Sequence, residues 1–344
     1  MYKIPSALST LLLLFSITVY ATAEPYSSDS DLIFDDSQLE DELLYPDWFK
    51  LSLGDLGDDL EKAKKDGKKG IIAYFGQNRC AYCKQFFDTS LADTDIQNYL
   101  RRHYDLIAFD IWGIDDIIDT DGKQYTEREL SIHYKTNFTP SLVFYDREGT
   151  PVFRLRGFYP PYKFRAALQY VTEGFYKNET FSDYFERANP GEYFLLGGLT
   201  ERDFFLKQPY DLATLRENGK PTAVFFEQGN CHTCDLLHGD PLSKDVSIQE
   251  IKKMNVIQLN MWADTPITTP QGKKTTAKDW AKSLDIFYAP SILFFDSDGK
   301  EIIRVDSVTR FYRLWGVLDY VNRQGYKKSR DYQSWRLRQR EISK

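Results

Sequence analysis

Cysteine, histidine and methionine are scarce in this 344-residue chain: four, four and three residues. No glycine-rich phosphate loop and no paired His-Glu metal motif occurs, so nothing points to a nucleotide or a haem. After the first twenty residues no long apolar run remains, which leaves no spanning helix to expect. Excess positive charge is also missing. The net charge is −7 with 15% aromatic residues, which suits folded domains and argues against a nucleic-acid binder.

The chain begins MYKIPSALSTLLLLFSITVYATAEP. Lys3, an apolar stretch from Leu8 to Tyr20 and the small residues Ala21-Thr22-Ala23 have the layout of a secretory leader over residues 1–23, with Glu24 as the expected mature start. The apolar stretch is short of the roughly 20 residues a spanning helix needs, and no cysteine follows the cleavage point to carry a lipid. Export, to a periplasm or beyond, is therefore expected. The remaining length exceeds what one core usually serves, so two domains are expected. Charge collects at the ends. Glu24 to Glu42 (within an acidic segment, 24–47) holds eight acidic residues and no basic one, and Arg323 to Lys344 (with a basic tail, 325–344) holds eight basic and two acidic ones. Both are expected to be solvated termini.

All four cysteines fall in two C-x-x-C pairs, Cys80/Cys83 and Cys231/Cys234. A disulfide within such a pair closes only four residues and adds little stability, so a structural staple is a poor explanation. Zinc is equally poor: compact sites separate their pairs by roughly 15 to 20 residues, and here 147 intervene. Copper on Cys231, Cys234, His232 and His238 is chemically open.

A shift of 150 residues lays the chain on itself from Asp110–Val171 to Asn260–Val321, bringing Trp112 onto Trp262, Pro140-Ser141 onto Pro290-Ser291 and Gly149 onto Gly299. Upstream the shift is 151, which brings Phe75 onto Phe226, Gln77 onto Gln228 and the cysteine pairs into register. Two copies of one domain explain this; a solenoid would repeat every 20 to 50 residues. Each copy reads β-α-β-α-β-β-α, with strands near 71–75, 106–111, 141–145 and 151–155 and their counterparts, a helix start at Thr126 or Thr276, and a tight hairpin at Asp146–Gly149 or Asp296–Gly299. This order specifies a mixed sheet flanked by helices. Residues 177–207 form the connection, with Asn189-Pro190-Gly191 as a break.

A C-x-x-C after the first strand, followed 60 or 59 residues on by Pro140 or Pro290 and then a hairpin, resembles the thioredoxin fold. The resemblance spans 48–176 and again about 200–324 (domains 48–176 and 208–324). The Trp-containing insertion from Asp110 to Glu127 is similar to secreted bacterial thioredoxin-like proteins, the SoxW type included, and Thr139 before Pro140 is similar to the disulfide isomerase branch. Tyr74 and Phe225 stand where the classical family has a buried aspartate, and the Trp-Cys-Gly-Pro-Cys signature is missing, so membership does not carry over the potential or the direction; the resemblance of the insertion to the secreted group makes disulfide reduction the expected direction, over oxidation or isomerisation.

The resemblance implies an α/β protein of two tandem thioredoxin-like domains, each a mixed sheet flanked by helices. It further implies thiol-disulfide exchange through redox-active disulfides with no other cofactor. Cys80 and Cys231, at helix starts, would be nucleophiles, and Cys83 and Cys234 would resolve the mixed disulfide. Thr139, Pro140, Ala289 and Pro290 would shape the substrate groove, each proline lying in cis. Arg79, Tyr82 and His232 would tune the thiolates; Tyr82 could equally touch substrate or be a plain exposed aromatic. Arg79 and Lys84 favour a thiolate at Cys80 and Asp235 opposes one at Cys231, so the first pair is the expected main site. Expected partners are protein thiols or disulfides and an upstream electron donor or acceptor, membrane-bound ones included, for a monomer that binds no nucleic acid. A client-binding module without turnover is the rival from another class.

Overall fold

The computed structural model describes residues 29–188 and 191–342, so the expected leader, Glu24 to Ser28 and Asn189-Pro190 lie outside the described residues. In the first repeat, β1 (Gly70–Gly76), β2 (Tyr104–Asp110), β3 (Ser141–Tyr145) and β4 (Pro151–Arg156) form a sheet in the order β2-β1-β3-β4. β1 is parallel to β2 and antiparallel to β3. β1 is buried along its whole length. Its alternate side chains feed two apolar layers: Ile72 and Tyr74 join Leu142 and Phe144, while Ile71, Ala73 and Phe75 join Val143 and Tyr145. A sheet buried on both faces is what helices on both sides require. Helix α1 (Ala81–Phe86) follows β1, α2 (Pro161–Thr172) follows β4, and a further helix, α3 (Phe181–Ala188), lies within the 177–207 connection.

The second repeat copies this plan. β5 (Thr222–Glu227), β6 (Asn255–Asn260), β7 (Ser291–Phe295) and β8 (Glu301–Val305) are ordered β6-β5-β7-β8. The helices are α4 (His232–Gly239), α5 (Phe311–Asn322) and, beyond the repeat, α6 (Tyr332–Ile342). Thr126 caps the helix Glu127–His133 in a full capping box with Glu129, and Thr276 caps Ala277–Ser283. The insertion after the second strand carries a small hairpin, Asp116–Ile118 with Gln124–Thr126.

The repeats meet through equivalent positions. Arg156 pairs with Asp306, 150 residues away, at 2.9 Å. Val308 N donates to Phe158 O at 2.9 Å, also 150 residues apart. Between them Gly157, at φ 107°, lies so close to Ser307 that a Cβ would sit 2.1 Å from its Oγ. The crossing continues into the helices. Lys163 of α2 donates to Phe287 O at 2.5 Å, and its counterpart Arg313 of α5 donates to Thr139 O at 2.9 Å. An isologous dimer has this self-matching pattern, here inside one chain.

The charged ends are not solvated termini. Leu32 is buried and Phe34 packs edge-on against Tyr82 at 5.0 Å, while Asp36 accepts from Tyr312 N, Arg313 N and the Tyr82 hydroxyl. That carboxylate therefore caps α5 from the other end of the chain. In the basic tail Tyr332 and Trp335 are buried, and Gln333 donates to Asn137 O. Apolar residues spaced within charged runs hold both ends down.

Candidate active site

Cys80 and Cys231 are the N-cap residues of α1 and α4, and each is disulfide-bonded to the cysteine three residues on. Cys83 N points at Cys80 Sγ at 3.0 Å, and Cys234 N at Cys231 Sγ at 3.1 Å. A backbone N–H aimed at a sulfur at a helix start favours negative charge there once the bond is reduced. Cys83 and Cys234 lie deeper, at 0% and 3% exposure against 5% and 8% for Cys80 and Cys231.

The first site brings Cys80, Cys83, Thr139 and Tyr82 together beside the cis Thr139–Pro140 peptide, and the second brings Cys231 and Cys234 beside the cis Ala289–Pro290 peptide. Thr139 Oγ1 lies 3.2 Å from Cys80 Sγ and 2.9 Å from Gln77 Nε2. The Gln77 Oε1 in turn accepts from Trp112 Nε1 at 3.1 Å. An amide NH2 can only donate, so the Thr139 hydroxyl accepts from Gln77 and its own proton is left for the sulfur. This Trp–Gln–Thr line was not anticipated. Its signal was the coincidence of Gln77 with Gln228 and Trp112 with Trp262 in the repeat.

At the second site Trp262 Nε1 again donates to Gln228 Oε1, at 2.9 Å, but Ala289 has no hydroxyl to pass the line on. Thr233 lies 3.4 Å from Cys231 Sγ, yet its hydroxyl donates to Ala289 O at 2.7 Å, so its proton is already used. Cys80 thus has one more donor than Cys231.

Arg79, at φ 58°, is exposed and lines the cavity beside Cys80, and its carbonyl accepts from Leu39 N. Tyr82 is not an exposed aromatic, although it lines the same cavity. It is 6% exposed, receives Arg310 N on its hydroxyl and lies under the Arg313 guanidinium, 3.3 Å from the ring centre. Burial pushes its phenol well above the usual range. His232 is exposed on the first turn of α4. The copper set is not assembled: among the described residues no group of three or more His, Cys, Asp or Glu side chains is close enough to hold a metal. His238 instead turns to Glu227, with Nε2 at 3.0 and 3.2 Å from the carboxylate, while Arg202 Nε donates to its Nδ1. Nδ1 is then the acceptor and Nε2 carries the proton.

A disulfide at a helix N-terminus, beside a cis-proline loop at the end of a mixed four-stranded sheet, defines a thioredoxin-type exchange site, and this chain holds two. The family profile for the thioredoxin-like domain matches residues 56–172 and 208–322, so the chain belongs to that family of thiol-disulfide oxidoreductases, in two tandem copies. A disulfide bond reductase, DsbH of Chlamydia pneumoniae, is 27% identical over 101 residues, 29% of this chain. The chain spans 59% of that relative's length. A thioredoxin-fold protein from Helicobacter pylori overlays at a TM-score of 0.31 with 23% identity, covering 35% of this chain and 80% of that one. A thioredoxin from Thermus thermophilus gives 0.27 with 25% identity, covering 33% and 81%.

Proposed function

We propose that the protein is an exported enzyme that reduces disulfides of protein clients, with Cys80 as its main nucleophile. The observation that carries the choice of Cys80 is the pair of donors on its sulfur, Cys83 N–H and the Thr139 hydroxyl, of which Cys231 has the first alone. In the reduced protein the Cys80 thiolate attacks a client disulfide, forming a mixed disulfide and releasing one client thiolate. Cys83 then attacks Cys80, forms the internal disulfide and frees the second client thiol, so two electrons pass to the client. A thiol donor must restore the dithiol; that donor, a membrane-bound one included, is an expected partner.

The reductase direction is supported by the similarity to a protein named a disulfide bond reductase and by the resemblance of the insertion to secreted thioredoxin-like proteins. Donors on Cys80 act the other way, since stabilising a thiolate makes a disulfide more oxidising. Export is supported by the leader-like layout of residues 1–23. Monomer is supported by the use of self-equivalent surfaces within the chain. The test is a trap: the Cys83→Ser protein should hold a client as a mixed disulfide on Cys80 that a reductant releases. Clients retained after all four cysteines are replaced would instead indicate binding without turnover.

A further inference from the structure

A cavity of about 280 Å3 opens beside Cys80, and four arginines line it: Arg79, Arg313, Arg336 and Arg340, against the single carboxylate of Asp36. They arrive from three places in the chain. Arg79 precedes the nucleophile, Arg313 sits in the first turn of α5 and Arg336 and Arg340 lie one turn apart on α6. Arg313 is committed, donating to Thr139 O, Ser307 Oγ and Val308 O. Arg79, Arg336 and Arg340 have no ion-pair partner among the described residues. Like charges four apart on a helix oppose each other, and among the described residues no ion pair offsets them; Arg336 lies over the Tyr332 ring, 5.9 Å from its centre. The Arg340 guanidinium is held below its ordinary value by burial and by Arg336. The cavity wall already holds one carboxylate, Asp36, on the first N–H groups of α5 and the Tyr82 hydroxyl.

The second site lacks this arrangement. The helix that crosses over to it is α3, where Glu186 stands 150 residues before Arg336 and Asp183 before Gln333; Asp183 pairs with Lys282 at 2.6 Å. Ser182 of α3 approaches Ile286 O much as Gln333 of α6 approaches Asn137 O. At the positions equivalent to Arg336 and Gln333, α3 thus carries acidic side chains where α6 carries an arginine and an amide.

We propose that the basic tail is a recognition element of the first site, selecting protein clients whose reacting cysteine is flanked by carboxylates. The proposal rests on the exchange activity proposed above. A cleft lined by one sign of charge raises the encounter rate of an oppositely charged partner by about 10-fold or more, and salt weakens the effect.

The test uses the full chain with Cys231→Ser and Cys234→Ser, so that the first pair alone reports. Cysteine peptides with two flanking glutamates, two glutamines or two lysines attack the oxidised pair. In that step the peptide sulfur bonds to Cys80 Sγ and Cys83 leaves as the thiolate. Each second-order rate is divided by the same peptide's rate with the neutral 2-hydroxyethyl disulfide, which removes differences in thiol pKa. Expected is a glutamate-to-lysine rate ratio of about 10 or more in dilute buffer. The ratio should fall toward one in 0.5 M salt and in the Arg336→Gln/Arg340→Gln protein, and return in Arg336→Lys/Arg340→Lys. A ratio near one in the unsubstituted tail, with all three peptides reacting, overturns the proposal and leaves the exchange activity standing. No reaction with any peptide overturns the exchange activity itself.

Discussion

Replacing Thr139 by valine keeps the shape beside Pro140 and removes the one hydroxyl whose proton reaches Cys80 Sγ, 3.2 Å away. A hydrogen bond to a charged group contributes about 1.5–3 kcal/mol, and about 1.4 kcal/mol corresponds to one pKa unit. The Cys80 pKa should therefore rise by about 1–2 units. Where Cys80 is ionised at the working pH, the same energy makes the pair harder to reduce to the dithiol by about 30–60 mV, moving its potential more negative. The assay is thiolate absorbance against pH in reduced protein whose second pair is replaced by serine, followed by equilibration with thiol-disulfide buffers. Thr139→Ser, which keeps the hydroxyl, should behave as the parent. Ala289→Thr offers Gln228 a hydroxyl at the second site and should lower the Cys231 pKa. An unchanged Cys80 titration in Thr139→Val would refute the Trp112–Gln77–Thr139 line as a source of thiolate stabilisation.

Three further outcomes follow from the packing between repeats. Gly157→Ala places a Cβ 2.1 Å from Ser307 Oγ at a left-handed φ, and should lower stability by about 2 kcal/mol or more in urea unfolding. Ser307→Gly in the same chain should recover the steric part and leave the backbone strain. Burial lowers the Lys163 pKa from 10.5 to about 7, so between pH 7 and 10.5 the unfolded chain holds a proton that the folded chain lacks. Stability should then rise with pH across that window. Lys163→Met should be more stable than the parent at pH 6, by about 1 kcal/mol or more, and should lose the rise; a steeper rise would contradict the assignment. Asp36→Ala removes the acceptor of two α5 N–H groups and of the Tyr82 hydroxyl, and should cost about 1–2 kcal/mol, read as a lower Tm. Asp36→Ser, a cap of its own, should recover part of it.

The repeat, the strand order and the cysteine pairs were legible because each is local or lies at a fixed offset: β3 falls on the expected residues Ser141–Tyr145, and β1 extends its expected core by one residue at each end. The partners of those residues were not legible. Gln77 reaches Thr139 across 62 residues and Trp112 across 35, and only the folded sheet places them together. The contact of Arg156, Gly157 and Phe158 with their own counterparts leaves no periodic mark in either copy. Counting charge misread the termini. Leu32, Phe34, Tyr332 and Trp335 were the informative residues there, and packing them against the cores sets the acidic segment on α5 and the basic tail beside Cys80. The buried Glu227–His238 pair was missed for a similar reason, since its partners lie on a strand and a helix and neither residue is unusual in its own run.

The reduction potential of each cysteine pair, measured on the full chain and on chains keeping one pair, decides whether the protein is a disulfide reductase. A reversible two-electron couple is expected at both pairs, with that of Cys80/Cys83 at about −270 mV and less negative than that of Cys231/Cys234. A value between about −120 and −180 mV at the first pair would contradict the reductase direction. No reversible couple at either pair would contradict disulfide exchange as the activity of this protein.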